Sequence, residues 1–277
     1  MTQHCYNSCV VITGSSKGIG FALARAFLKR GKAVVISARN TTQLFAAQQQ
    51  LQQEFSAEQV HAIPCDITQA EQVEVLWASA VAQFQQVDIW INNAGSCTAS
   101  QDFTQLSYHE MQQVIETNLW GCILCCQVAF KGMQQQGHGQ IFNMEGWGSR
   151  GEWSPGMTVY ATTKSAVAYF SHALYKESRH SPVLIGTLSP GMVATDLLVS
   201  SWTQGNPKHW RRMKRLFYFI IDPPETVAHY LAQRICDNKR NHVRIVWMTP
   251  WRLFGRFFLP SYWRRNPVQG THLDHFS

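Results

Sequence analysis

Two short stretches of this 277-residue chain combine residue types and spacing that suit chemistry. In Tyr160-Ala161-Thr162-Thr163-Lys164 a phenol and an ammonium stand four residues apart, which on a helix places both on one face, one turn apart. A fixed positive charge beside a phenol favours the phenolate and lowers a pKa that is about 10 in model compounds, so the pair is expected to exchange a proton near neutral pH. The second stretch is Thr13-Gly14-Ser15-Ser16-Lys17-Gly18-Ile19-Gly20, between the apolar run Ser8–Ile12 and a helical pattern from Phe21 to Arg30. A glycine-rich turn there suits a phosphate: free N–H groups and the positive end of the helix dipole face an anion, with few Cβ atoms in the way. The spacing differs from the commoner G-x-G-x-x-G.

Elements must bring these stretches together. Short β-rich runs, Cys9–Thr13, Ala33–Ser37, Val60–Cys65, Asp88–Asn92, Gln140–Met144, Val183–Leu188 and Val243–Trp247, alternate with helical patterns near 18–30, 41–56, 69–85, 104–136, 158–180 and 223–237. The alternation predicts an α/β fold: a single-domain, Rossmann-type, doubly wound sheet of seven mainly parallel strands with helices on both faces. Ligands of such sheets bind beyond the carboxyl ends of the strands. Tyr160 opens the helix after the fifth strand. Asn92-Asn93-Ala94-Gly95 ends the fourth, and Ser189-Pro190-Gly191-Met192-Val193-Ala194-Thr195 ends the sixth, so all point to one edge.

Composition narrows the class. A hydrophobic content of 45% supports a sizeable core, and eight cysteines, mostly inside apolar runs, read as free thiols. Cys122-Ile-Leu-Cys125 has ligand spacing but no second pair, so no metal is expected. No opening segment reads as a signal or transit peptide. Residues 1–207 carry 11 Lys/Arg and 13 Asp/Glu, net −2, whereas residues 208–277 carry 13 and 4, net +9, together the chain's +7. That basic last quarter is mixed with aromatics, in Trp210–Phe219 and Trp251–Phe258. The mixture suggests peripheral contact with an anionic membrane, or a lid and a subunit interface; no nucleic-acid motif accompanies it. The apolar runs are too short to span a bilayer. The chain is therefore read as cytoplasmic or peripherally membrane-associated, and not secreted.

In this order and spacing, Thr13–Gly20, Asn92–Gly95, Asn118, Tyr160/Lys164 and Pro190–Thr195 resemble the short-chain dehydrogenase/reductase family over roughly residues 8–248. The resemblance implies an oxidoreductase with a nicotinamide cofactor and dimers or tetramers formed through helices near 104–136 and 158–180. It implies Tyr160 as the acid that protonates a nascent alkoxide, Lys164 binding ribose hydroxyls and lowering the tyrosine pKa, and Asn118 holding a relay water. Gly14, Ser16, Lys17, Gly18, Ile19 and Gly20 are implied to line the pyrophosphate turn. Asp66 and Ile67 would meet the adenine, Asn93, Ala94 and Gly95 the adenosine side, and Pro190, Gly191, Val193 and Thr195 the nicotinamide and its phosphate. Residues 1–248 would form the cofactor domain, with a substrate lid at about 196–222 and a basic, aromatic tail over 249–277.

Charge bears on the cofactor. The second strand ends Ser37-Ala38-Arg39 where an acid would select NAD, so Arg39, with Lys17 as a second cation, predicts NADP(H). The family usually places a serine thirteen residues before the tyrosine. That count reaches Trp147, or Gly146 if one residue is inserted after Asn143, and neither can polarise a substrate carbonyl as that serine does. Ser149, the nearest hydroxyl, is therefore the expected catalytic substitute, with Ser154 next. Glu145 is read as loop support. The stretch Asn143-Met144-Glu145-Gly146-Trp147-Gly148-Ser149, with Pro224–Ala228 and Thr249-Pro250, resembles the chlorophyll b reductase branch of the family. That resemblance implies NADPH-dependent reduction of the formyl group of chlorophyll b or chlorophyllide b to hydroxymethyl. Another bulky apolar carbonyl or alcohol (lipid, steroid, retinoid or quinone-like) is the alternative, and a non-catalytic NADPH sensor a third reading.

Overall fold

A computed structural model describes residues 8–98, 100–198 and 218–267. The expected lid falls outside the described residues over 199–217.

Seven strands form one parallel sheet in the order β3-β2-β1-β4-β5-β6-β7. They are β1 (Cys9–Thr13), β2 (Ala33–Ala38), β3 (Val60–Pro64), β4 (Ile89–Asn92), β5 (Gly139–Met144), β6 (Val183–Ser189) and β7 (Val243–Val246). All six pairings are parallel. The central strands are apolar on both faces, as a sheet covered on both sides requires. Val10, Ile12, Val34, Ile36 and Ile91 pack with α1 (Gly18–Leu28), α2 (Thr41–Gln52) and α7 (Pro224–Cys236). Cys9, Val11, Val35 and Trp90 point the other way, against α3 (Ala70–Phe84), α5 (Gly121–Gln136) and α6 (Thr158–Glu177). The chain order reverses between β1 and β4, and the crevice beyond their carboxyl ends is the expected ligand position.

The helix expected over 104–136 is three pieces. Ser107 and Glu110 form a reciprocal capping box that starts α4 (Tyr108–Ile115) later than periodicity suggested, because two otherwise orphaned N–H groups are satisfied there. A π-turn, Glu116–Trp120, then joins α4 to α5. Such turns interrupt the regular hydrogen-bond ladder and recur at functional sites, and this one contains Asn118.

Beyond β7 the described chain continues as α8 (Pro250–Phe257) and α9 (Pro260–Arg264). Seven cysteines among the described residues are free.

Candidate active site

The glycine turn is assembled from its neighbours before any ligand is considered. Ser15 is buried and its hydroxyl bonds the Ile12 carbonyl at 2.6 Å while accepting the Ser37 N–H at 2.9 Å, which ties the turn to β2. Asn93 donates its amide to the carbonyls of Thr13 and Gly14, both at 2.9 Å, and the Thr13 hydroxyl accepts from the N–H groups of Asn93 and Ala94. A Cβ on Gly14 would lie 2.6 Å from the Ala94 Cα, and one on Gly20 2.5 Å from the Asn93 amide nitrogen. These two glycines therefore admit the Asn93-Ala94 segment, a packing demand that the phosphate reading alone did not anticipate. Ser16 and Ile19 are half-buried beside them, Ile19 packing on the core. Lys17 is extended, and no side chain caps the first turn of α1, so its leading N–H groups have no side-chain acceptor there.

The second half of the site lies across the same edge. Asn118 accepts the Ser96 N–H at 2.8 Å and donates its amide to the Ser96 carbonyl and the Thr163 hydroxyl, at 2.9 and 3.0 Å. Thr163 in turn donates to the Tyr160 carbonyl. The π-turn, the chain after β4 and α6 are thus clipped together by one side chain. A Cβ on Gly95 would stand 3.3 Å from Asn118 Oδ1 and 3.7 Å from Lys164 Nζ. The expected gathering of Asn118, Gly95, Tyr160 and Lys164 is therefore present. Cys97, which the sequence reading passed over, bears on both Tyr160 and Lys164, and its own thiol is pushed up to about 12 by burial despite the nearby ammonium. Its only advance signal was its position two residues beyond Gly95.

One expectation is corrected. Tyr160 and Lys164 are both buried, and the Lys164 ammonium donates to the Met144 carbonyl at 3.2 Å, 5.8 Å from the phenol ring centre. Burial raises the Tyr160 pKa above its ordinary value, with Cys97 adding to the rise, where spacing alone predicted a fall. Burial also lowers that of Lys164, opposed by Cys122, Cys97 and Glu145. For both groups burial is the largest cause of the shift.

The loop after β5 places Gly146, Trp147 and Ser149 in three different surroundings. A Cβ on Gly146 would lie 2.4 Å from the Tyr160 hydroxyl and 3.2 Å from Lys164 Cγ, so Gly146 is the residue that faces the phenol. Trp147 is 44% exposed and belongs to the surface. Ser149 is buried: its hydroxyl donates to the Lys164 carbonyl at 3.2 Å and accepts the Gly146 N–H at 3.1 Å, which holds Gly146 and Lys164 in place. Glu145, also buried, pairs with Arg244 of β7 at 2.7 Å, and Arg244 reaches on to the Ser189 hydroxyl. Glu145 does support the loop. Its partner was missed, although an arginine inside the strand Val243–Val246 was a visible signal.

The remaining cofactor-side residues divide. Arg39, exposed, stands 3.9 Å from Asp66, whose other oxygen accepts from the backbone and hydroxyl of Thr68. Lys17 instead pairs at 2.7 Å with Asp196, just past Thr195, so in this structure the two cations serve different carboxylates. Ile67 is buried against Gly121. Pro190 and Val193 are buried, Gly191 adopts φ +70° against Met248, and Val193 bridges to Asp222. A Cβ on Gly18 would meet the Thr195 methyl at 3.3 Å, so the glycine turn and the segment after β6 face one another.

The family model described as short chain dehydrogenase matches residues 8–206. The chain belongs to the short-chain dehydrogenase family. It is similar to a probable chlorophyll(ide) b reductase of rice (Oryza sativa subsp. japonica), 37% identical over 91% of this chain and 52% of that protein. A chlorophyll(ide) b reductase of Arabidopsis thaliana is 39% identical over 82% and 64%. The chain thus spans between half and two thirds of the length of these relatives. An uncharacterized oxidoreductase of Staphylococcus aureus is 33% identical over 87% of this chain and 96% of its own. Among solved structures, a 3-ketoacyl-(acyl-carrier-protein) reductase of Brucella melitensis complexed with NADH superimposes with a TM-score of 0.75 at 22% identity, over 87% of this chain and 96% of that one. At that identity the likeness speaks to the fold.

Proposed function

We propose that this short-chain dehydrogenase family member is an NADP(H)-dependent carbonyl reductase of a bulky apolar substrate, with the formyl group of chlorophyll b or chlorophyllide b as the specific reading. The observation that carries it is the convergence of Tyr160, Lys164 and Asn118 on Gly95 and Gly146 at the carboxyl edge, facing the uncapped start of α1. The cofactor, when bound, supplies the hydride that the carbonyl carbon receives. Tyr160 donates its hydroxyl proton to the carbonyl oxygen as charge develops there, which turns the carbonyl into an alcohol. Its raised pKa suits an acid that must hold its proton until the oxyanion forms. Lys164 binds the ribose hydroxyls and stabilises the phenolate left behind. Asn118, with its side-chain amide already satisfied, holds the relay water through the main chain of the π-turn.

Gly14, Ser16, Lys17, Gly18, Ile19 and Gly20 line the pyrophosphate. Asp66, Ile67, Asn93, Ala94 and Gly95 line the adenosine side, and Pro190, Gly191, Val193 and Thr195 the nicotinamide side. Arg39, with no acid at the end of β2 and its guanidinium exposed, favours the extra phosphate of NADP. Ser149 polarises the carbonyl only if its proton leaves the Lys164 carbonyl, so Ser149→Ala should lower kcat far more than Ser154→Ala; equal mild effects assign it to support alone. The substrate reading draws on the two plant relatives, and on Gly146, where the loop passes against the phenol hydroxyl with no side chain between them. Ile115 and Trp120 near the α4–α5 junction and Tyr169 on α6 are exposed, which supports a dimer or tetramer through these helices. Peripheral association with a membrane, where such a substrate resides, belongs to the same reading.

Product analysis after incubation with chlorophyllide b and NADPH tests the proposal. The hydroxymethyl product is expected, with Tyr160→Phe reducing turnover by roughly 10³-fold and Arg39→Asp reversing the NADPH/NADH preference in kcat/KM. Turnover of other apolar aldehydes but not the pigment moves the substrate. Cofactor binding with no turnover across a broad panel overturns the reductase reading.

A further inference from the structure

The described C-terminal helices invert the usual arrangement of a basic, aromatic segment. Arg256 in α8 is 2% exposed; it pairs with Asp222 and donates to the carbonyls of Phe219 and Ile220. Arg252 lies over the Trp247 ring at 3.8 Å and donates to that residue's carbonyl. Arg265, just past α9, donates to Asp222 and to the carbonyls of Tyr218 and Phe219. Each of these three arginines is thus bonded inward, to the body of the protein. The aromatic side chains are left outside: Trp251 is 83% exposed, Phe258 70% and Trp263 61%, with Phe254 and Leu259 also exposed. Phe254 and Phe258 touch edge to face, and Trp251 lies one turn before Phe254 on the same face of α8. An exposed apolar face of this kind marks an interaction surface.

We propose that the outer face of α8 and α9 docks on an anionic lipid bilayer, inserting Trp251, Phe254, Phe258, Leu259 and Trp263 into the headgroup–acyl boundary. Three observations select lipid over a protein partner. Two tryptophans accompany a phenylalanine pair, and indole and phenyl rings are the side chains best suited to that boundary. Among the described residues no helix is long and apolar enough to cross a membrane, so a short helix lying along the surface is the geometry available. Apart from the arginines bonded inward, the stretch 208–215 carries Lys208, Arg211, Arg212, Lys214 and Arg215 with no acid among them, a charge complementary to anionic headgroups. The location matters as well. α8 follows β7 at the carboxyl edge, and Arg256 anchors it to Asp222, which is itself bridged to Val193 beside the candidate active site. A lipid-borne substrate would then enter from the docked side. This deepens the peripheral-association reading and stands or falls separately from the identity of the substrate.

The test is flotation with vesicles of phosphatidylcholine containing about one third phosphatidylglycerol, and with phosphatidylcholine alone, on the full chain and on the variant Trp251→Ser/Phe254→Ser/Phe258→Ser. Wild type should float with the anionic vesicles, less with the neutral ones, and the variant should bind at least tenfold more weakly while retaining NADPH affinity and turnover of a water-soluble aldehyde. Brominated acyl chains should quench wild-type tryptophan fluorescence, a readout that holds even if the triple variant folds poorly. Wild type remaining with the soluble fraction, or equal flotation of wild type and a folded variant, overturns the proposal. A variant that falls from dimer to monomer while wild type ignores vesicles gives the surface to a second copy and likewise overturns it. Loss of turnover on every aldehyde with flotation intact would count against the reductase reading and leave the docking surface standing.

Discussion

Glu145 and Asp222 are both buried carboxylates at the carboxyl edge, and each is held by arginine from later in the chain, yet they do different work. Asp222 receives Arg256 and Arg265, and Arg256 is itself 2% exposed, so the cluster is a closed anchor that fixes α8 and the chain after α9 to the strand-edge segment. Glu145 receives Arg244, whose side chain is 32% exposed, and its charge reaches the Lys164 ammonium. A fully buried ion pair is costly to break on one side because the survivor stays charged and desolvated, while a partly wetted one relaxes into water. The first cluster therefore governs stability and the orientation of a surface. The second is coupled to Lys164, a titrating group of the candidate site.

Breaking the anchor should give the largest effect. Asp222→Asn leaves Arg256 buried without its counter-ion and is expected to cost about 3–5 kcal/mol, lowering Tm by roughly ten degrees by calorimetry. Arg244→Met should cost less, about half that figure, because the partly exposed position of Arg244 lets water approach Glu145. It should also move the alkaline limb of kcat/KM to higher pH, since an uncompensated Glu145 charge favours protonated Lys164. Glu145→Gln keeps size and hydrogen bonding, so it should cost about 1 kcal/mol and shift the same limb the other way, to lower pH. Opposite shifts from the two partners of one ion pair are the sharpest check; parallel shifts would make the pair purely structural.

The smallest effect concerns Lys164 itself. Burial lowers its pKa below the 10.5 of an unfolded lysine, so between the two values the unfolded chain binds more protons. Stability should rise with pH through that window, and Lys164→Met should flatten the rise in a series of denaturant melts. Asp222→Asn should leave this pH dependence as it is, because Asp222 faces no such group.

Much of this was legible beforehand. All seven strands fall within about one residue of their expected bounds, since apolar runs buried on both faces leave little freedom of register. The helix over 104–136 was the exception, because a capping box and a π-turn are local hydrogen-bond events that a 3.6-residue period does not report. Tyr160 and Lys164 were proposed from their spacing and place in the fold, and Asn118 from the family resemblance. Arg244 was not, as a charge inside a short strand acquires meaning only when its partner, 99 residues earlier, is known.

The sequence by itself determined the parallel sheet, the edge on which the motif residues sit, and the residue types available there, because these follow from periodicity and from motifs at strand ends. Only the tertiary structure decided that Gly146 and not Trp147 faces the phenol, that Ser149 bonds the Lys164 carbonyl, and that the Tyr160 pKa rises where spacing predicted a fall. It also decided that the described arginines of the tail turn inward and leave its aromatics outside. The physical reason is common to these cases. Sequence spacing says which groups can share a face, but desolvation and the competition for hydrogen-bond partners depend on every chain segment that arrives at the site.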